Sequence, residues 1–217
     1  RETDSAYKDI TNALYTQYNA LRKRLIQFLT DSVDGPRLAA LPAIETAQKI
    51  LDRILFIAFA QRTDLLPDAL LEQAAIAQNK FVPQPIWQNF LALFRAVDTG
   101  NNRLSISAYN GGLFAQDPVA DALILPDDLA RDVAALGQWD YRREVPVTVL
   151  GHIFEQSITE IERDKAISRG EAPPPESKGK RKREGVVYTP EIITRFLVER
   201  TIGLTLDERR AALWAEH

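Results

Sequence analysis

The sequence predicts a mostly α-helical protein: a multi-helix domain, a long charged loop, and a C-terminal helix. Three observations carry this expectation. Apolar residues of the first half recur in steps of three and four, which lines them along one face of a 3.6-residue helix. Residues 163–184 then hold almost no apolar side chain, but carry the run Pro173-Pro174-Pro175 and a basic cluster. Finally, Thr189-Pro190-Glu191 has the chemistry of a helix start.

Each element has its own signal. Over residues 10–29 the stripe is Ile10, Leu14, Tyr18, Leu21, Leu25 and Phe28, and Asp34-Gly35-Pro36 ends it. A second helix over residues 45–62 is apolar on most sides, the mark of a helix central to a core, with the charged pair Asp52-Arg53 between apolar turns. Residues 68–78 read as a short helix, and Pro85-Ile86-Trp87 opens another that reaches about Val97. In the motif Tyr109-Asn110-Gly111-Gly112-Leu113-Phe114, Asn110 and the glycines tolerate positive φ, so a tight turn is expected. Pro126-Asp127-Asp128 starts a helix ending near Gly137. The next, residues 146–163, has its apolar positions at Leu150, Ile153, Phe154, Ile158 and Ile161. After the loop, Gly185-Val186-Val187-Tyr188 is short and β-prone. Thr189 then serves as N-cap, Pro190 as first helical residue, Ile192, Ile193, Phe196 and Leu197 as the buried stripe, and Gly203 as the stop.

Composition bounds the function. The 217 residues are 45% hydrophobic and 26% charged, ordinary for a folded chain. The net charge of −3 means that any nucleic-acid contact is local. With no cysteine there is no disulfide, thiolate ligand or cysteine nucleophile, and two histidines, His152 and His217, do not make a histidine-rich metal site. No apolar run has the length of a membrane span, and no signal peptide is recognised, so a cytoplasmic protein is expected. A chain that starts at Arg1 and holds no methionine reads as a piece of a longer protein.

Five features invite a functional reading, each beside a plainer one. The N-terminus of the helix after Tyr188 offers free N–H groups and a positive dipole end to a carboxylate or phosphate, or is an ordinary capped helix. Lys178, Lys180, Arg181, Lys182 and Arg183 form a basic cluster that contacts a phosphate backbone or serves as a nuclear localisation signal, or is a solvated loop. Gly111-Gly112 cradles a ligand, or forms a turn between anchoring aromatics. Asp164 with Glu176-Ser177-Lys178 imitates a metal-nuclease pattern, but in a loop that would not preorganise ligands. His152, with Glu155 three residues on, is a catalytic candidate or a hydrogen-bonding histidine.

The series of motifs adds a resemblance. Tyr109-Asn110-Gly111-Gly112-Leu113-Phe114 is followed by residues 149–158, Val-Leu-Gly-His-Ile-Phe-Glu-Gln-Ser-Ile, then a charged loop, then residues 181–193, Arg-Lys-Arg-Glu-Gly-Val-Val-Tyr-Thr-Pro-Glu-Ile-Ile. From about Asp52 onward this resembles the large adenine-specific DNA methyltransferases of the Eco57I-like kind, including single-chain (type IIG) restriction–modification enzymes. The resemblance implies a helical connector domain over residues 1–162, a charged mobile loop over 163–184, and the first element of a truncated α/β methyltransferase domain over 185–217. It implies that Tyr188, Thr189 and Pro190 lie at the methionine end of S-adenosylmethionine, while Lys180, Arg181, Lys182 and Arg183 are, by their charge, the candidate contacts to double-stranded DNA. The parent reaction would methylate N6 of a flipped adenine. The family's glycine-rich loop and its Asn-Pro-Pro-Tyr motif are absent from the sequence. The expectation is thus a fragment that spaces and orients the catalytic domain and is inactive alone, with an incomplete cofactor site. The alternative is a non-enzymatic helical interaction module whose basic loop contacts nucleic acid or a partner. A third reading is a eukaryotic regulatory domain with a nuclear signal at residues 180–183.

Overall fold

The computed structural model describes residues 2–31, 37–77, 79, 81–109, 111–139, 141, 147–173, 189 and 191–215. The chain is mostly helical, as its periodicity predicts. Among the described residues the only β pairing is a single antiparallel bridge between Asn101 and Ile106. The β-prone residues 185–188 lie outside the described residues.

Helix α1 spans Glu2–Asp31 and buries Leu14, Tyr18, Leu21, Leu25 and Leu29. Helix α2 spans Ala40–Arg62 and is the centre of the core: Ile50, Leu51, Ile54, Leu55, Ile57 and Ala58 are fully covered. It begins five residues before the expected Glu45, with Pro42 in its first turn. A proline there forfeits no helix hydrogen bond, since the first N–H groups have no intrahelical acceptor. Helix α3, Leu70–Ala74, is shorter than predicted and buries Leu70, Leu71 and Ala74. Helix α4, Pro85–Thr99, starts at its proline and presents Trp87, Phe90 and Phe94 to the core. The Trp87 indole N–H donates to Leu123 O at 2.8 Å, so the largest buried side chain keeps its polar atom paired.

Gly100, at φ 83°, ends α4 and turns the chain into a one-turn 3₁₀ segment, Asn102–Leu104. Short helix α5, Pro118–Asp121, is capped by Asp117, which accepts from the N–H groups of Val119 and Ala120. Helix α6, Asp127–Ala134, continues as a 3₁₀ turn, Ala135–Gln138. Helix α7, Val147–Ser168, packs against α1 and α2. It runs six residues beyond position 162, into the stretch expected to be loop. Its end is a Schellman motif: Gly170 has φ 73°, Gly170 N–H donates to Ile167 O at 3.0 Å, and Glu171 N–H donates to Ala166 O at 2.9 Å.

Helix α8, Glu191–Val198, passes through a π-turn, Glu199–Gly203, into α9, Leu204–Ala215. Two expectations fail here. Gly203 does not stop the helix: its place in the wide turn lets the chain go on helically. The stripe Ile192, Ile193, Phe196 and Leu197 is not buried but 78%, 48%, 55% and 53% exposed. Ile202, Leu204, Leu206, Leu213 and Trp214 are exposed too. Among the described residues, no helix is long and apolar enough to cross a membrane.

Candidate functional site

The residues expected to carry function fall unevenly. Of the cofactor candidates, Thr189 is described: it is exposed and precedes the helix that starts at Glu191. Tyr188 and Pro190 lie outside the described residues, as do Lys180, Arg181, Lys182 and Arg183. His152 falls within α7, its side chain outside what is described. No group of three or more potential metal ligands occurs among the described residues.

The segment after Gly111-Gly112 is held by two arginines. Arg53, fully buried in α2, donates through Nε to Leu113 O at 2.8 Å and through Nη2 to Ala115 O at 2.9 Å. Arg95, on α4, donates through Nη2 to Phe114 O at 2.8 Å. Three successive carbonyls thus each receive a guanidinium N–H, a fork geometry that lysine lacks. The Arg53 guanidinium also lies 5.1 Å from the centre of the Phe94 ring, and Asp121 approaches its Nη1 at 3.6 Å. Burial lowers the Arg53 pKa, and Asp121 and Asp117 oppose that shift.

Aromatic contacts complete this anchorage. Phe56 meets Tyr109 and Phe114 edge-on, at 5.8 and 5.3 Å between ring centres, and the Tyr109 hydroxyl donates to Leu65 O. The tight turn between aromatic anchors is present. Gly111 and Gly112, however, do not take positive φ, and a Cβ on either would meet nothing within 4 Å. The glycines do not cradle another part of the chain.

A second polar cluster lies in the seam between α1, α2 and α7. Arg22, 1% exposed, donates through Nη2 to Glu160 at 2.8 Å and pairs with Asp164 at 3.1 Å. Asn19 Nδ2 donates to Glu160 at 3.2 Å. Tyr15 bonds the same carboxylate; burial, then that hydrogen bond, raises its pKa. Above it, Gln48 Nε2 donates to the Tyr18 hydroxyl at 2.5 Å and to Asp52 Oδ1 at 2.7 Å, and the Tyr18 O–H donates to Asp52 at 3.3 Å. Burial pushes the Asp52 carboxyl up to about 6, against the lowering effect of these two hydrogen bonds. Asp164 is therefore no loop residue aligned with a nuclease pattern. It lies within a helix and neutralises a buried arginine.

Sequence reading singled out Asp52-Arg53 and missed the roles of Arg22, Gln48 and Glu160. A signal was available: Arg22 sits four residues after Tyr18, on the apolar face of α1. The cluster does the chemistry of cohesion, orienting α7 on α1 and α2. No nucleophile with an adjacent base stands out among the described residues.

No family model, no curated protein and no solved structure matches this chain.

Proposed function

We propose that the chain is the helical part of an S-adenosylmethionine-dependent adenine-N6 DNA methyltransferase of a restriction–modification system, where it spaces and orients the catalytic domain. The observation that carries this reading is the helix Glu191–Ala215. It follows Tyr188-Thr189-Pro190 directly, and its large apolar side chains are uncovered. A contiguous exposed apolar face marks a surface that another domain or partner covers. A catalytic domain whose first helix is this one would cover it. In this reading Thr189 and Pro190, with Tyr188, meet the methionine end of the cofactor, and the N–H groups of the helix start receive its carboxylate. Lys180, Arg181, Lys182 and Arg183 contact the phosphates of duplex DNA. The described body, with α7 locked to α1 and α2, is the rigid mount.

The test is the gene and its full product. The coding sequence after His217 is expected to hold a glycine-rich loop followed by Asn-Pro-Pro-Tyr. The full product is expected to move labelled methyl from S-adenosylmethionine to adenine N6 in duplex DNA, and the chain alone to transfer none. A gene without those two motifs overturns the reading.

The same exposed face favours one other reading, a helical interaction module without enzymatic activity. Duplex binding against salt separates the part played by the loop. With Lys180, Arg181, Lys182 and Arg183 changed to alanine, an unchanged affinity and salt slope would reduce the cluster to a solvated linker.

A further inference from the structure

A cleft of about 520 Å³ opens between α3, α4 and the turn at Asn101. Its apolar walls include Leu70, Leu93 and the half-exposed Ile76 and Leu104, and its polar lining is made of amides: Gln73, Asn79, Asn89 and Asn101. Among the described residues that line it, none carries a charge.

Three of these amides are oriented by bonds to the backbone. Asn89 Nδ2 donates to Ala74 O and to Ile76 O, both at 3.1 Å. Two carbonyl acceptors fix the nitrogen on that side and leave Oδ1 as a free acceptor. Asn101 Oδ1 accepts from Leu104 N–H at 3.2 Å, which leaves its Nδ2 as a donor. Asn79 Oδ1 accepts from Phe81 N–H at 3.0 Å, leaving a second donor. The cleft therefore offers preset donors and an acceptor between apolar walls, the composition of a small-molecule site, and its volume lies in the usual range.

We propose that this cleft binds an uncharged planar heterocycle of the nucleobase class, whose edge carries a hydrogen-bond donor beside an acceptor. Apolar walls take the flat faces, and the asparagines read the edge. The described lining offers amides and apolar side chains, which suit an uncharged polar edge. The assignment rests on α3, α4 and the turn at Asn101, and stands whether or not the methyltransferase reading holds.

The experiment is a titration of the chain with adenine, with cytosine and, as an apolar planar control, with benzyl alcohol, followed by the side-chain amide NMR signals of Asn89 and Asn101. Saturable shifts of both signals are expected for at least one base, with a Kd on the order of 1 mM, as suits a ligand of this size. The exposed Ala92 lines the cleft on α4, so Ala92→Phe fills it without touching the core. That variant is expected to weaken base binding at least about tenfold by occupying the same space. The proposal is overturned if neither base gives saturable shifts, if benzyl alcohol binds as tightly as the better base, or if Ala92→Phe leaves the titration unchanged.

Discussion

Arg53, in the middle of the central helix, donates its Nε–H to the backbone oxygen of Leu113 at 2.8 Å. This bond ties a loop sixty residues away to the most buried element of the fold. Because Arg53 also serves Ala115, two partly buried carbonyls depend on one side chain. Arg53→Met is expected to destabilise the chain by about 3–5 kcal/mol, since it strands those acceptors and the nearby Asp121. Arg53→Lys keeps the charge but not the fork, and should still cost about 2 kcal/mol. Urea unfolding of both variants measures this; wild-type stability in Arg53→Lys would refute the clamp.

Asp52 makes stability depend on pH in an unusual direction for a carboxylate. Its folded pKa is raised to about 6 from an ordinary 3.8, so folding favours the protonated form. The contribution is fully present below pH 3.8 and is lost as pH rises through about 6. Asp52→Asn removes this dependence. The stability of the variant relative to wild type should therefore increase between pH 4 and pH 7 and level off above, as read from urea midpoints across that range.

Arg22 holds the second half of α7. Arg22→Met leaves Glu160 and Asp164 without their buried partner and should cost about 2–4 kcal/mol, reduced by the partial exposure of both carboxylates. The loss should be local. Amide exchange of residues 157–168 is expected to speed up more than that of Leu150 to Ile153, which is held by apolar burial. Uniform acceleration along α7 would show that the ion pairs do not separate the two halves.

The exposed stripe of α8 and α9 should contribute nothing to the stability of the chain by itself. Leu197→Glu with Ile202→Glu is expected to change the unfolding free energy by less than about 0.5 kcal/mol, since neither side chain is buried. The same pair should reduce binding of a hydrophobic dye, because it interrupts the apolar face. A large loss of stability would mean that the face is packed.

The helices were legible where the apolar period was regular. Leu14, Tyr18, Leu21 and Leu25 are buried as their spacing requires. The centrality of α2 followed from apolar residues on most of its sides. Periodicity identifies an apolar face but not what covers it, which is why the stripe at Ile192 to Leu197 was read as buried. The end of α7 was legible but overlooked: Arg169-Gly170 supplies the left-handed residue of a helix stop, while the surrounding charge suggested a loop. Arg22 and Glu160 are 138 positions apart, and no local pattern pairs them. The cleft was invisible for the same reason, since its four amides come from α3, the segment after it, α4 and the turn at Asn101.

The π-turn Glu199–Gly203 lies between Leu197 and Ile202, five positions apart, with the four-residue steps Ile193 to Leu197 and Ile202 to Leu206 on either side. A wide turn is what a regular helix becomes when it accepts one additional residue without breaking. The chain thus spends one more residue on this turn than a plain α-helix would. Deleting Thr201 would close the step to four, convert the turn to plain α-helix, and leave Ile193, Leu197 and Leu206 aligned with the shifted isoleucine. The length of this helix is therefore adjustable by one residue while the face it offers is kept.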